Sequence, residues 1–404
     1  MITEHPMSPD ERRSVGALAV LYCFRMLGLF MVLPLLALYA ADLPGATPTL
    51  IGLAIGVYGL MQALLQVPLG WLSDRVGRKP VIVGGLLLFA LGSAVAAMAD
   101  SIEGIVLGRL LQGAGAIAST VMAMVADLTR EEQRTKAMAL VGASIGFSFI
   151  LALVLGPLVA SVSDLAGVFW FTALLAVSGI ALVIWVVPTP QRADRSTRSN
   201  GAQWGLLAHS LRDGLLMRLN IGVFVLHFVL TAMFLVVPGL LEGSFTVDRA
   251  SHWLVYLPVL LLSLLGIVPL MILAERKGQL RWAFLVAIAL VFVASLIVGI
   301  VPSSPVFYGG MCLFFVGFNY LEATLPSQVS KAVDADGKGA AMGVYSTCQF
   351  MGAFAGGAGG GWLLQHAGAH ALMGACLGLV LIWWLAVFRT GPDVHSGGTP
   401  AAAQ

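Results

Sequence analysis

The sequence predicts an all-α polytopic membrane protein with twelve transmembrane helices, and three observations support this. Of the 404 residues, 59% are hydrophobic and only 10% are charged. Apolar runs of roughly 18 residues or more, long enough for a helix to cross a bilayer, recur along the whole chain. Lys and Arg collect in alternate connections between these runs, as expected of a chain that crosses the membrane repeatedly.

The twelve predicted spans are numbered 1 to 12 in chain order. They are 14–41, 50–72, 80–99, 102–126, 136–161, 166–187, 217–241, 252–274, 281–301, 305–330, 339–364 and 369–388. They divide the chain into an N-terminal arm (1–13), a six-helix half (14–187), a linker (188–216), a second six-helix half (217–388) and a tail (389–404). Within the linker, Trp204–Leu216 is amphipathic and predicted to lie on the membrane surface, whereas the tail is predicted to be disordered.

The distribution of basic residues predicts the topology. With the N-terminus inside, Arg249 is the one basic residue outside, and Arg25 and Arg109 lie within spans. The remaining 19 of the 22 Lys and Arg residues (22 − 3) then fall in cytoplasmic segments. We therefore expect both termini in the cytoplasm and the protein in the inner (cytoplasmic) membrane.

Composition argues against several other classes of protein. The net charge of +2 gives no reason to expect a nucleic-acid partner. All four cysteines lie in apolar runs without metal-ligand spacing, and we interpret them as reduced packing residues. A glycine-rich nucleotide loop and a nucleophile elbow are both missing from the sequence. We therefore expect neither an enzyme, nor a metal site, nor an organic cofactor.

The polar stretch 70–80 separates spans 2 and 3 and has the pattern G-x-L-x-D-R-x-G-R-K. Its charged side chains cannot lie in hydrocarbon, so it is predicted to form a tight turn at the membrane surface. The pattern resembles the signature loop of the major facilitator superfamily. Its key residues are Gly70, Asp74, Arg75, Gly77, Arg78 and Lys79.

The two halves of the chain repeat each other weakly but in consistent order. Phe30 and Pro34 of span 1 align with Phe234 and Pro238 of span 7, and 269–278 is a worn copy of the signature loop. Two six-helix halves related by parallel duplication, with the substrate site between them, are the arrangement of this superfamily. The resemblance thus implies the same fold and a rocker-switch form of alternating access.

A closer resemblance covers nearly the whole chain. The segments Arg25–Pro34, Asp127–Arg130 and Ala341–Thr347 are similar to the YajR-like branch of the drug:proton antiporters. The YajR-type chain continues into a soluble ferredoxin-like domain. We expect that domain to be absent here, because the sequence ends at Gln404.

Spans 5 and 11 carry small residues at every fourth position, which allows close helix packing. Gly156-Pro157 resembles the core of the span 5 antiporter motif, although Ala152 and Ala160-Ser161 stand where glycines are usual. We expect the halves to rock against each other along these two seams. The residues singled out are Gly156, Pro157, Gly352, Gly356 and Gly360.

Four ionisable residues lie deep within spans, where burial of a charge is costly: Arg25, Arg109, His227 and Glu322. They fall on spans 1, 4, 7 and 10 respectively, the spans that line the central cavity in the resembled superfamily. Arg109, Gln112, Gly113 and Ala116 share one helix face. Arg109 could be a structural hub for span 1 carbonyls or could tune a neighbouring acid, and His227 could be a satisfied core residue. Asn319 and Phe30 are further candidates to line the cavity.

Glu322 is the only acidic residue deep within any predicted span, so it is the candidate for proton coupling. An apolar site drives a carboxyl group toward its neutral form, and a nearby arginine favours the ionised form. A group that alternates between two such environments can carry a proton across the membrane. The alternative is a fixed structural pair between Glu322 and Arg25. The proton is thus the one coupling ion expected.

The signature loop is expected to act as a conformational switch. The resemblance places Asp74 beside the start of span 11 near Gly339, where a helix N-terminus favours a carboxylate, when the cytoplasmic side is closed. Arg78 is expected to pair with Asp127 at the end of span 4 and hold the turn in place.

Three functions remain open at this point. The first is a proton-coupled exporter of hydrophobic or amphiphilic small molecules. The second is a facilitator or proton symporter for a polar or anionic metabolite, favoured if Arg25 and Arg109 bind substrate charge. The third is a sensor or scaffold in the membrane that transports nothing. The signature loop and Glu322 favour transport, and we expect the protein to function as a monomer.

Overall fold

The computed structural model describes residues 6–189, 210–300, 303–333 and 337–390. In these ranges the regular structure is helical throughout, with no strand. Ten of the helices are long and apolar enough to cross a membrane. Two of these ten, Glu131–Trp185 and Lys338–Arg389, contain a break and correspond to two spans each, so the twelve predicted spans are consistent with the structure.

The observed bounds of the first six spans follow the prediction closely. Span 1 is Pro9–Tyr39, span 2 is Pro48–Val76 and span 3 is Arg78–Ala97. Span 4 consists of Ile102–Ala114 and Ala118–Asp127, and Glu131–Trp185 contains spans 5 and 6. Span 1 begins inside the predicted polar arm, because Ser8 and Glu11 form a capping box that starts the helix.

The remaining spans are equally regular. Spans 7 to 10 are Gly214–Gly243, Trp253–Met271, Leu280–Ile300 and Ser304–Lys331, and a π-helical turn, Ile272–Arg276, extends span 8. Span 11 begins as Lys338–Phe354 and passes through a second π-helical turn, Ala355–Gly359. The last helix, Gly360–Thr390, contains the end of span 11 and all of span 12.

Backbone breaks separate the paired spans. Asp164, at φ 55°, divides span 5 from span 6, and Gly368, at φ 81°, divides span 11 from span 12. Both lie in the short connections that the apolar pattern predicted between these spans. A positive φ is readily adopted by glycine and occasionally by aspartate, so both residue types suit their positions.

Span 4 departs from the prediction of one continuous helix. The first segment ends at Ala114, and the amide of Gly115 donates to the carbonyl of Gln112 instead of continuing the helix. A Cβ on Gly115 would overlap the backbone of Gly85 in span 3, so the two chains cross here without side chains between them. Ala116 lies in this break, and the predicted helix face therefore ends at Gly113.

The chain divides into two compact units. The described residues of the first unit lie within Met1–Ser196, Phe228–Pro258 and Phe350–Leu372. Those of the second lie within Thr197–His227, Val259–Gln349 and Met373–Gln404. The first unit thus includes two segments of the predicted second half, and the division into halves at 14–187 and 217–388 stays a prediction.

Several predicted features lie wholly or partly outside the described residues. They are the start of the N-terminal arm (1–5), most of the linker with the amphipathic stretch Trp204–Leu216 (190–209), and the tail (391–404).

Large apolar side chains cover much of the surface in the described ranges. Leu265, Ile382 and Leu174 are 70%, 66% and 60% exposed. Helices that present leucine and isoleucine outward, while arginines lie buried within, suit a hydrocarbon solvent. This pattern agrees with a membrane-embedded bundle.

Candidate functional site

The signature loop is one sharp reversal between two long helices. Span 2 continues to Val76 and span 3 starts at Arg78, so Gly77 alone, at φ 104°, makes the turn. A side chain is rarely stable at that φ, which explains why glycine is needed. At the other end of the loop, a Cβ on Gly70 would lie 3.2 Å from the Ser119 hydroxyl of span 4, so this is also a close approach.

Arg78 holds this turn against span 4. Its guanidinium lies 2.6 Å from an Asp74 carboxylate oxygen and 3.0 Å from an Asp127 carboxylate oxygen. The Arg78 side chain is only 9% exposed, so these charge-assisted bonds are partly shielded from water. The predicted Arg78–Asp127 pair is confirmed, and the switch role of Asp74 stays a prediction.

Asp74→Asn is expected to raise the inward-open population, because it removes the carboxylate that the start of span 11 would favour when the cytoplasmic side is closed. Distances between spin labels across the predicted cytoplasmic side measure that population. Asp100→Asn, an exposed aspartate between spans 3 and 4, is the matched control. Distance distributions identical in Asp74→Asn, the control and the wild type would refute the switch role.

On the same predicted side, the N-terminus of span 1 is tied to the loop between spans 4 and 5. The Glu11 carboxylate accepts hydrogen bonds from the backbone amide and the guanidinium of Arg130, at 2.9–3.0 Å. These contacts raise the pKa of Arg130, chiefly through the hydrogen bond to Glu11. Glu11 therefore both caps span 1 and anchors it to this loop.

Within the first unit, Arg25 and Arg109 lie on either side of Tyr58 from span 2. Arg25 donates to the Tyr58 hydroxyl at 3.1 Å and to the Gln62 side chain at 2.9 Å, and Gln62 donates to the carbonyl of Gly113. The Arg109 guanidinium stands 4.8 Å from the centroid of the Tyr58 ring, a cation–π contact. Tyr58 thus connects the two deep cations that the sequence singled out.

Both arginines are almost completely buried, with 2% and 0% of their surface exposed. Arg109 donates to the carbonyl of Ala54 and to Gln112. Arg109 thus bonds a backbone carbonyl, but this carbonyl belongs to span 2 and not to span 1, and the choice between its two expected roles stays open. Among the described residues, Arg25 Nε and Nη1 and Arg109 Nη2 have no hydrogen-bond partner.

Within the second unit, Glu322 and His227 are brought together by Gln349, a residue that was not among the sequence-based candidates. The Gln349 amide nitrogen on span 11 lies 3.0 Å from Glu322 Oε1 on span 10 and 2.9 Å from His227 Nε2 on span 7. Glu322 Oε2 lies 3.7 Å from His227 Nε2 and is buried without a hydrogen-bond partner. Three spans therefore converge on one polar cluster.

The donors and acceptors of this cluster indicate where the imidazole of His227 carries its proton. His227 Nδ1 lies 3.1 Å from the carbonyl of Val223, and a carbonyl can only accept, so Nδ1 carries the proton. The Gln349 amide nitrogen can only donate, so His227 Nε2 and Glu322 Oε1 both accept. With this orientation of the amide, the imidazole carries its proton on Nδ1, whereas Glu322 Oε1 can accept the bond from Gln349 whether or not Oε2 carries a proton.

Two further cavity candidates take different positions. The Asn319 amide donates to the Ser263 hydroxyl of span 8 at 3.1 Å, so this bond directs it to span 8 and away from Gln349. Phe30 packs edge-on against Phe149 with ring centroids 5.1 Å apart, and Phe149 packs against Phe234 at 6.4 Å. Phe30 therefore belongs to an aromatic cluster that joins spans 1, 5 and 7.

The small-residue seams do pack closely, but their partners differ from those expected. A Cβ on Gly156 would lie 3.2 Å from the carbonyl of Met31 in span 1. A Cβ on Gly356 would overlap the backbone of Phe228 in span 7, and Gly360 lies against Leu235 of the same span. The buried Pro157 and Gly352 belong to these two helices. Each seam thus packs against a helix of its own predicted half, and the rocking of the halves along these seams stays a prediction.

A different glycine face joins spans of the two predicted halves within the first unit. Gly52 and Gly56 of span 2 meet Gly357 and Gly361 of span 11, where an added Cβ would overlap the opposite backbone in every case. Gly59 continues this face against Phe350. The glycines of span 11 lie at and just after its π-helical turn, a feature frequent at functional sites.

An ion-pair cluster lies on the predicted outer side. The guanidinium of Arg249 donates to Asp42 at 2.7 Å and to Glu242 at 2.8 Å, and its carbon lies 5.4 Å from the centroid of the Tyr39 ring. Asp42 ends span 1, and Glu242 ends span 7. This basic residue, alone on its predicted side, therefore ties two spans together.

Comparison with known proteins shows which family has this sequence and architecture. The family model described as Major Facilitator Superfamily matches residues 18–357. The chain belongs to the major facilitator superfamily. It is 46% identical over 395 residues to the inner membrane transport protein YajR of Escherichia coli, covering 96% of this chain and 85% of that protein.

Two other comparisons extend this result. The multidrug resistance protein MdtH of Yersinia enterocolitica is 26% identical, with 88% of each chain covered. The crystal structure of a mutant of the nucleoside transporter NupG matches with a TM-score of 0.76 at 14% identity, over 93% of this chain and 99% of that one, and shows the fold alone. The major facilitator family and these relatives are transporters, so the chain is a transporter of the YajR-like branch and not an enzyme.

Two residues of the site, Tyr58 and Gln349, were missed because they are neutral, whereas the candidates deep within the spans were chosen chiefly for their charge. Both are polar residues inside apolar runs, and that signal was present. The spacing of Gly52, Gly56 and Gly59 on span 2 was a further signal for close packing.

Proposed function

We propose that this transporter couples proton entry to the export of hydrophobic or amphiphilic small molecules by rocker-switch alternating access. The observation that carries the proposal is the Glu322–Gln349–His227 cluster, in which one amide nitrogen lies within hydrogen-bond distance of both the carboxyl group and the imidazole. The Glu322 side chain is 37% exposed and the His227 side chain only 11%, so Glu322 is the more accessible member of the cluster. A charged residue at this depth must serve a cavity or a partner within the protein.

Proton uptake and release at Glu322 would drive the alternation of access. In the state described here, Glu322 can accept a proton, which neutralises a costly charge within the membrane. Protonation favours the transition to the other facing state, and proton release there returns the charge and the starting state. Hydrophobic substrate would occupy a cavity beside the aromatic cluster of Phe30. The name of the relative MdtH, a multidrug resistance protein, supports this substrate class.

The setting of the transporter is part of the same proposal. We propose that it lies in the inner membrane, as does its relative YajR by name, with both termini in the cytoplasm. The distribution of Lys and Arg supports this orientation. The protein works as a monomer with the proton as its coupling ion and without another cofactor.

A second candidate is a facilitator or proton symporter for an anionic metabolite. It is favoured by the buried guanidiniums of Arg25 and Arg109, whose Nε, Nη1 and Nη2 donors remain unpartnered in the described part of the chain. A carboxylate or phosphate would satisfy such donors well. The two candidates therefore differ in whether Arg25 and Arg109 bind a charged group of the substrate.

A transport screen in proteoliposomes tests both candidates. The probes are two amphiphilic cations, ethidium and rhodamine, and one amphiphilic anion, anilinonaphthalene sulfonate, each measured with and without an imposed pH gradient. Accumulation of a cationic probe that requires the gradient supports export coupled to protons. Transport of the anion alone, without dependence on the gradient, overturns the first candidate in favour of the second.

A further inference from the structure

We infer that Gln349 sets the proton affinity of the Glu322–His227 pair, as a positioning residue that holds the pair in its deprotonated form. The inference deepens the proposed function and rests on it, because it concerns the same coupling site. It starts from the two hydrogen bonds that one amide group donates, at 3.0 Å to Glu322 Oε1 and at 2.9 Å to His227 Nε2.

Both hydrogen bonds favour the deprotonated state of the Glu322–His227 pair. An amide N–H stabilises an ionised carboxylate, and it stabilises an imidazole nitrogen only while that nitrogen carries no proton. A proton on His227 Nε2 therefore breaks the bond to Gln349 or forces the amide to rotate, whereas a proton on Glu322 Oε2 weakens the bond at Oε1, because a neutral carboxyl group is a poorer acceptor than a carboxylate. Gln349 thereby lowers the affinity of the whole pair for a proton.

The structure also provides a place for the arriving proton. Glu322 Oε2 is buried, lacks a hydrogen-bond partner and lies 3.7 Å from His227 Nε2. A proton bound to either atom would lie between the two and could be shared after a small approach. If the Gln349 amide rotates by half a turn, its oxygen can accept from the newly protonated group. One proton is taken up, and no other bond forms or breaks.

The described neighbours of the cluster do not bridge Glu322 and His227 as Gln349 does. The apolar ring of Phe318 packs edge-on against His227, with the ring centroids 5.8 Å apart. Tyr345, a titratable residue, lies one turn before Gln349 on span 11 and interacts electrostatically with Glu322. Its hydroxyl is buried and makes no described hydrogen bond, so Gln349 is the residue that bridges acid and imidazole.

The test is an infrared difference titration of the reconstituted protein, which needs no substrate. Glu322→Gln and His227→Gln assign the bands of the pair. Gln349→Met keeps the length of the side chain and removes the donor, and it is expected to raise the midpoint of proton release by about one to two pH units, the equivalent of a hydrogen bond to a charged group. Gln349→Asn, which retains a donor on a shorter chain, is expected to shift the midpoint less.

Gln365→Met, at an exposed glutamine near the far end of span 11, is the matched control and should leave the midpoint unchanged. For any probe that the wild type transports, the Gln349→Met rate should fall at neutral pH and recover at more alkaline pH. Unchanged midpoints in both Gln349 variants, or transport lost at every pH, overturn the inference. Failure of the wild type to use a pH gradient overturns the proposed function instead.

Discussion

Replacing Glu322 by glutamine is expected to abolish uphill transport driven by a pH gradient while downhill exchange of the same probe persists. Glutamine keeps the shape and hydrogen-bonding reach of the side chain, so the contact with Gln349 can survive in altered form. It cannot ionise, and the alternation between charged and neutral states is lost. Uptake into proteoliposomes with and without a gradient, at equal protein content, measures both modes.

The matched control for this variant is Glu103→Gln, which removes an exposed carboxylate in the first turn of span 4. It should leave gradient-driven uptake unchanged. If Glu322→Gln still concentrates a probe by using the pH gradient alone, Glu322 is not the coupling residue. His227 then becomes the leading candidate, because Asp42 is already engaged by Arg249.

Gly357→Leu is expected to separate spans 2 and 11 and to reduce transport about tenfold or more, with normal insertion into the membrane. Gly357 lies against the backbone of Gly52 and Gly56, so a side chain has no flexible neighbour to displace. Overpacking of this kind costs about 1–3 kcal/mol. About 1.4 kcal/mol changes an equilibrium tenfold. The state in which the glycine face of span 2 packs against span 11 should therefore become the minor state.

The same π-helical turn offers a control two residues away. Gly359 is exposed, and an added Cβ there meets nothing within 4 Å. Gly359→Leu should therefore behave like the wild type. Labelled-pair distances between the start of span 2 and the end of span 11 should lengthen in Gly357→Leu only. Equal distances and equal transport in both variants would show that the packing of the glycine face between spans 2 and 11 does not limit the transport cycle.

Much of the fold could be predicted from the sequence because membrane spans are set by local properties. The length of apolar runs, the polar stretch 70–80 and the glycine at 77 each act within a few residues. The Arg78–Asp127 pair came from the resemblance to the family. The break at Gly115 was not predicted, since a glycine within an apolar run is compatible with an unbroken helix until its neighbour, Gly85, is known.

The candidate site was predicted only in part, because it depends on contacts between distant spans. Glu322 and His227 stood out as costly groups in an apolar context. Their junction through Gln349 depends on how spans 7, 10 and 11 pack, which the local sequence does not reveal. The partners of the two seams were not predicted for the same reason: the spacing of Gly156 and Gly356 predicts close packing and does not specify the partner helix.

In the proposed cycle, substrate and proton move in opposite directions through one protein. The most direct measurement encloses a pH-sensitive dye in proteoliposomes and applies a gradient of a transported probe with no initial pH difference. We expect proton movement opposite to the probe in the wild type and its loss in Glu322→Gln. Probe movement at the same rate with no change of internal pH in the wild type would contradict it.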